Sequence, residues 1–428
     1  MKNRFLSFTL ALLMLFSVVF FSSCGKAEHE IRKYYPISEE SFNGKTFPFI
    51  YVNVEDGAEI TSKESYLNCV VKITNTKEEY LLDTSSAKIK GRGNSTWDMP
   101  KKPYKLKFNE KTNLFGFGKA KTYTLIANYC DKSLSRNLMA YESARVLGLS
   151  ETSSTQPVNL VLNGDYRGVY LLCEQNEVGK SRVNIETDLA SVDTGYLIEL
   201  DSRAVDEGVE GTDYFVIDGL SYAIKDPEVD DDDFTPEHFN FIKNYMLDCF
   251  SAIGLSDYDT VKNLIDVDSF ARCYIVHEMF NCIDVGYLSF YFHKDAGGKL
   301  AAGPVWDFDI SSGNCDYAEH GNDTDYLYAK ATNSWYRQLL HFEGFQELVS
   351  DYIAEYKDAL LARIQEIVDY QIEYADNNKA NFAVWDILKI YVWPNPNELA
   401  SIKTFEGQVY YLQDWVEEKL NYMADCYA

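Results

Sequence analysis

Gly303-Pro304-Val305-Trp306-Asp307-Phe308-Asp309 is the stretch on which the reading of this chain turns. Val305, Trp306 and Phe308 form a short apolar run, yet two carboxylates sit inside it. An ionised carboxylate is costly to bury unless a cation or a set of donors meets it. One reading places Asp307 and Asp309 at a strand-to-turn corner, accepting backbone N–H bonds. The other is a divalent-cation site, because paired carboxylates supply hard oxygen ligands for Mg²⁺ beside a phosphate.

Working outward, Asp284 lies upstream, and Phe290-Tyr291-Phe292 followed by Gly297-Gly298 reads as a hairpin between it and Asp307. A base on one loop and a metal carboxylate after the next hairpin is the order used for phosphoryl transfer by protein kinases. Asp284 and Ser289 have the spacing of the kinase D-x-x-x-x-N pair, and Asp307-Phe308-Asp309 stands where Asp-Phe-Gly would. Far upstream, Gly91-Arg92-Gly93-Asn94-Ser95-Thr96 lets backbone approach a ligand, and its amides and hydroxyls can cradle phosphate oxygens. An ordinary turn is the plainer reading, since the P-loop pattern and the third glycine of a Rossmann turn are both missing. Lys101, Lys102, Lys105 and Lys107 follow it, either as phosphate contacts or as solvated strand lysines.

The chain has 428 residues and a net charge of −26, so a large core is affordable and a non-specific nucleic-acid footprint is excluded. Lys2 and Arg4 precede an apolar run from Phe5 to Phe21, the form of an export signal. Ser22-Ser23-Cys24-Gly25 resembles a lipobox, with Cys24 as the lipidated residue that anchors the protein to the outer face of a bacterial membrane. A single membrane anchor is the alternative. The reading divides the chain into a signal (1–23), a tether (24–44), a β-rich nucleotide-binding lobe (45–175) and a catalytic, mainly helical lobe (176–428). No Cys-x-x-Cys pair is present, which speaks against a zinc site.

Alternation predicts strands at 50–54, 69–73, 88–90, 104–108 and 123–127, and Asn163-Gly164 predicts a hairpin between 158–162 and 167–172. A helix follows Asp131 or Ser133, with Leu134, Leu138, Tyr141, Ala144 and Leu147 on its apolar face. Further strands are expected at 195–200, 214–217 and 222–225. Helices are expected from Pro236, over 269–281, and in two long C-terminal segments, 342–376 and 405–428. The fold class is therefore α+β, read as two lobes with a cleft between them.

Five ordered blocks together resemble the CotH kinase family of spore-coat-type atypical protein kinases. They are Gly91–Trp97, Lys101–Lys107, Asn128–Asn137, Gly168–Gln175 and Gly303–Asp309. The resemblance implies a divergent kinase-like fold that binds ATP with Mg²⁺ or Mn²⁺ and phosphorylates serine or threonine of a protein substrate. On this reading Asp284 is the catalytic aspartate, Asp307 holds the metal, and Asp309 and Ser289 are further ligands. Gly91, Arg92, Gly93, Asn94, Ser95 and either Lys105 or Lys107 contact phosphates. Glu142 pairs with that lysine, and Glu174 and Gln175 border the adenine. Ser289 departs from the family's expected asparagine, and an exported protein meets little ATP. A non-catalytic surface module that binds a protein or glycan partner is the rival reading. Glycoside hydrolysis by Asp284 and Asp307 is chemically allowed but has no motif behind it.

Overall fold

In the computed structural model the chain is described over residues 37–42, 45–255 and 257–428. Cys24, the export signal and most of the tether lie outside the described residues. Seven strands come first: β1 (Phe49–Val54), β2 (Leu67–Thr74), β3 (Leu82–Gly91), β4 (Tyr104–Asn113), β5 (Lys119–Ile126), β6 (Thr155–Leu162) and β7 (Asp165–Glu174). Alternate residues of every one of them, among them Val52, Val71, Ile89, Leu106, Leu125, Leu160 and Leu172, meet in one apolar cluster. That is the inward face of a barrel, and the period of two in the sequence is its cause.

The barrel runs β1-β2-β3-β4-β5-β7-β6 and closes on itself. Closure comes from parallel pairing of β1 with β6, Phe49 opposite Asn159 through Val52 opposite Leu162. A closed seven-stranded barrel therefore stands where the sequence led us to expect the β-rich lobe of a divergent kinase-like fold. The physical reason is this one long-range pairing, which no local pattern encodes. The expected hairpin is present, with Asn163 and Gly164 both at positive φ (51° and 79°) between β6 and β7.

One helix, α1 (Arg136–Val146), is inserted between β5 and β6. Gly148 ends it at φ +82°, its N–H donating to the Arg145 carbonyl. The second half is not purely helical. β8 (Tyr196–Leu200), β9 (Tyr214–Ile217), β10 (Leu220–Asp226), β11 (Phe290–Lys294) and β12 (Ala301–Ala302) form a second sheet ordered β12-β11-β8-β10-β9. Helices α2 (Pro236–Leu255), α3 (Val267–Met279), α4 (Glu343–Glu373) and α5 (Phe405–Cys426) supply most of the remaining regular structure. The 31-residue α4 packs on α1, α3 and α5, which ties the inserted helix to the C-terminal part. Seven of the eight cysteines within the described residues are buried and all eight are unpaired. None of the described helices is long and apolar enough to cross a membrane.

The loop into α1 carries a fully buried ion pair. Arg136 Nη1 lies 2.5 Å from Asp131 Oδ1, and both side chains are wholly buried. Asp131 also accepts the backbone N–H groups of Ser133, Ser135 and Arg136. Arg136 spends its other donors on the carbonyls of Ser311 (2.9 Å) and Ser312 (3.1 Å). Removing one partner of such a pair strands the other charge in the core. Arg136→Met is expected to lower unfolding stability by about 3–5 kcal/mol in urea titrations. Asp131→Asn combined with Arg136→Met should lose less than the sum of the two single changes. Strict additivity would show that the pair is not the connection described here.

Candidate functional site

Helix α1 positions the acidic corner. Asn137 Oδ1 accepts the Phe308 N–H at 2.8 Å, and the Tyr141 hydroxyl accepts the Asp307 N–H at 3.3 Å. Tyr141 stacks on Trp306 (centroids 5.8 Å, 16°), while Phe308 stacks on the buried His277 of α3 (5.6 Å, 10°). Trp306 and Phe308 thus anchor the corner on two helices. Between them Asp307 takes φ +68°, a conformation that an aspartate tolerates better than most residues.

Asp307 and Asp309 line one cavity of about 330 Å³ together with Asp284, Ser289, Gln175 and the Arg92–Thr96 turn. Asp284 lies on a single helical turn, Ile283–Gly286, and accepts the Tyr287 hydroxyl at 2.7 Å. Burial, then the Asp307 carboxylate, push Asp284 up to about 6, against the opposing pull of Tyr287 and Arg203. Burial and the carboxylates of Asp307, Asp284 and Asp131 push Asp309 well above the usual range, and a hydrogen bond to Asp307 adds to this. Cys130 Sγ lies 3.7 Å from Asp309 Oδ2.

Cations stand opposite. The Arg92 guanidinium lies 5.7 Å from the Trp306 ring centre, so the glycine turn reaches across the cavity to the acidic corner. Gly93 sits at φ +83° with Thr96 Oγ1 where a Cβ would go, so both backbone and space call for glycine. Burial works against the charge of Arg203, but Asp201, Glu199 and Asp307 outweigh it and hold the guanidinium protonated. Lys101, which the sequence offered as a phosphate contact, lines the cavity as well, together with Arg203 and Glu199, which it did not single out. Their only advance signal was charge at a strand end or loop. Lys101 is buried, with its ammonium on the Val169 carbonyl and on Asn381 Oδ1.

Other expected contacts go elsewhere. Gly91 closes β3 against the Trp97 ring rather than facing the cavity. Lys105 and Lys107 alternate with the barrel-filling Tyr104, Leu106 and Phe108 and therefore point outward from the wall, away from the cavity lining. Glu142 does not pair with either of them. It is bound to Arg363 (2.8 Å) on α4 and to Arg145 (3.6 Å) on its own helix. Glu174 is taken up by the Ser154 N–H (3.0 Å) and Arg182 (3.3 Å), leaving Gln175 as the one of the two at the cavity.

Asp307 and Asp309 suit a hard divalent cation, because they bring two carboxylates to the lining of one cavity. Among the described residues no group of three His, Cys, Asp or Glu side chains can hold an ion by itself. Water or phosphate oxygens have to complete the shell, as is usual for Mg²⁺.

Residues 89–423, most of the chain, match the family model described as CotH kinase protein. No curated protein matches the chain.

Without metal or nucleotide, ionised Asp284 works against folding. Its raised value means that its stabilising share is complete below about pH 3.8 and is lost as pH rises through about 6. Asp284→Asn keeps the acceptor for Tyr287 and removes the charge. In a chelator at pH 7 the variant is expected to be more stable by ~1–3 kcal/mol, discounted for partial exposure, with the gap closing toward pH 4. Urea midpoints across that range check this, and a gap independent of pH contradicts it.

Proposed function

The chain belongs to the CotH kinase family, and on that premise we propose that it is an ATP- and Mg²⁺-dependent atypical kinase acting on protein serine or threonine. The observation that carries this reading is the convergence of Asp284, Asp307 and Asp309 on one cavity facing the Arg92–Thr96 turn. The barrel takes the part of a kinase nucleotide lobe, a divergent form of that architecture. Bound at Asp307 and Asp309, with Ser289 a further ligand, Mg²⁺ or Mn²⁺ supplies the positive charge that offsets the phosphates.

The remaining work falls to the chain's own side chains. Arg92, Gly93, Asn94 and Ser95 hold phosphate oxygens, and Gln175 borders the base. Asp284, with its value near 6, accepts the proton of the acceptor hydroxyl as that oxygen bonds to the γ-phosphorus and the bond to ADP breaks. Arg203 meets charge developing on the transferred group. Export and a lipid on Cys24 would place this activity at the cell surface.

A pocket kept for binding a protein or glycan partner without transfer is the second reading. It draws on the outward-facing Lys105 and Lys107 and on the lack of a self-sufficient metal group among the described residues.

The test is transfer of labelled γ-phosphate by the purified protein, to itself or to casein, with Mg²⁺ or Mn²⁺. Asp284→Asn is expected to lower the rate by about 10²–10⁴-fold. Asp307→Asn should abolish both transfer and the metal-dependent thermal shift with ATP. Absence of label together with absence of a nucleotide-dependent shift would sink the kinase reading, and a shift without label favours the second reading. Transfer that survives both substitutions would mean that the residues are wrongly assigned.

A further inference from the structure

One of the lysines that the sequence offered for nucleotide phosphates leads to a different place. Lys107 lies in a second, larger groove of about 930 Å³, bounded by the β4–β5 hairpin, the segment 176–182 and the end of β10. Lys111, Lys119, Lys121 and Lys180 share it, all of them exposed, with Arg182 buried in the floor. Seven basic side chains, Lys225 included, face three acidic ones, Glu177, Asp226 and Glu228. This is a locally positive trough on a chain whose net charge is −26.

The bound-up charges of the groove are few. Arg182 is engaged by Glu174 and Glu177, and Lys225 Nζ lies 3.0 Å from Glu199 Oε2. Among the described residues no ion pair forms at Lys107, Lys111, Lys119, Lys121 or Lys180. Their ammonium groups are free to meet an incoming anion.

We propose that this groove docks an acidic, Asp- and Glu-rich segment of a partner polypeptide. Three features select that occupant. The lysines are strung out rather than converging: Lys107 and Lys111 alone span about 13 Å of strand, which suits an extended chain better than one phosphate. The site is concave, so it accepts a segment rather than a flat bilayer. A duplex or membrane would also run beyond the groove onto the acidic remainder of the surface, where repulsion within a Debye length of ~8 Å opposes it. The proposal does not depend on the kinase reading. If both hold, the groove is a docking point apart from the cavity that takes the acceptor hydroxyl.

The experiment measures binding of a fluorescent octaglutamate peptide to the purified full-length protein by anisotropy. Binding is expected at 50 mM salt and should weaken several-fold by 200 mM. Lys119→Glu with Lys121→Glu, both at exposed positions, should weaken it about tenfold or more while leaving the melting temperature unchanged. Lys72→Glu with Lys389→Glu, exposed and outside the groove, should leave it intact. The proposal is overturned if octaglutamate fails to bind at low salt, or if the groove variant binds it as well as the parent. Phosphatidylglycerol vesicles or inorganic phosphate binding through the same lysines where octaglutamate does not would overturn it in favour of those ligands.

Discussion

Everything at the candidate site hangs on Arg136. Its guanidinium is wholly buried and is shared between Asp131 and the carbonyls of Ser311 and Ser312. Asp131 precedes α1, and Ser311 and Ser312 follow the acidic corner, so a single side chain joins the helix entry to the loop carrying Asp307 and Asp309. A charge held so deep gains nothing from being there unless its hydrogen bonds are nearly complete, and here they are. The next residues along the helix continue the grip, Asn137 on the Phe308 amide and Tyr141 on both the Asp307 amide and Trp306. The positive φ of Asp307 is held in place by this set of contacts.

Much of the fold was legible because its signals are local. The alternation in 104–108, the Asn163-Gly164 turn and the apolar spacing of Leu138, Tyr141 and Ala144 each correspond to an element found in the structure. What was not legible is long-range. Barrel closure joins Phe49 to Asn159, and the second sheet joins β8 to β11 with some ninety residues between them. Both depend on strand partners that leave no trace in either strand's own pattern. For that reason the closure of the barrel was not foreseen, while the β-rich first part and the mainly helical second part stand as expected.

The site shows the same split. Asp284, Asp307 and Asp309 could be picked out because a carboxylate inside an apolar run is chemically conspicuous. Lys105 and Lys107 could not be placed: period-two alternation says that they share a face, but not whether that face meets a ligand. Once Tyr104, Leu106 and Phe108 fill the barrel, the lysines must lie outside it. Glu142 was misjudged for a related reason. It lies on α1 as expected, but which cation it meets is decided by α4, which brings Arg363 to it. Arg203 offered no local signal beyond its charge; only the fold carries it from the loop after β8 to the acidic corner.

The balance of charge in the cavity limits what can enter it. Burial first, then the neighbouring carboxylates, push Asp284 and Asp309 upward, so ionising this acidic cluster is costly even with Arg92 and Arg203 lining the same cavity. A free triphosphate brings several more negative charges and would be repelled by those carboxylates at short range. A divalent cation held by Asp307 and Asp309 would offset that repulsion, because its charge attracts both sets of oxygens. Under the kinase reading, the carboxylates that weaken the empty protein are the same groups that make nucleotide entry conditional on metal. The instability of the acidic corner is then part of its selectivity, and the Arg136 clamp is what allows the fold to tolerate it.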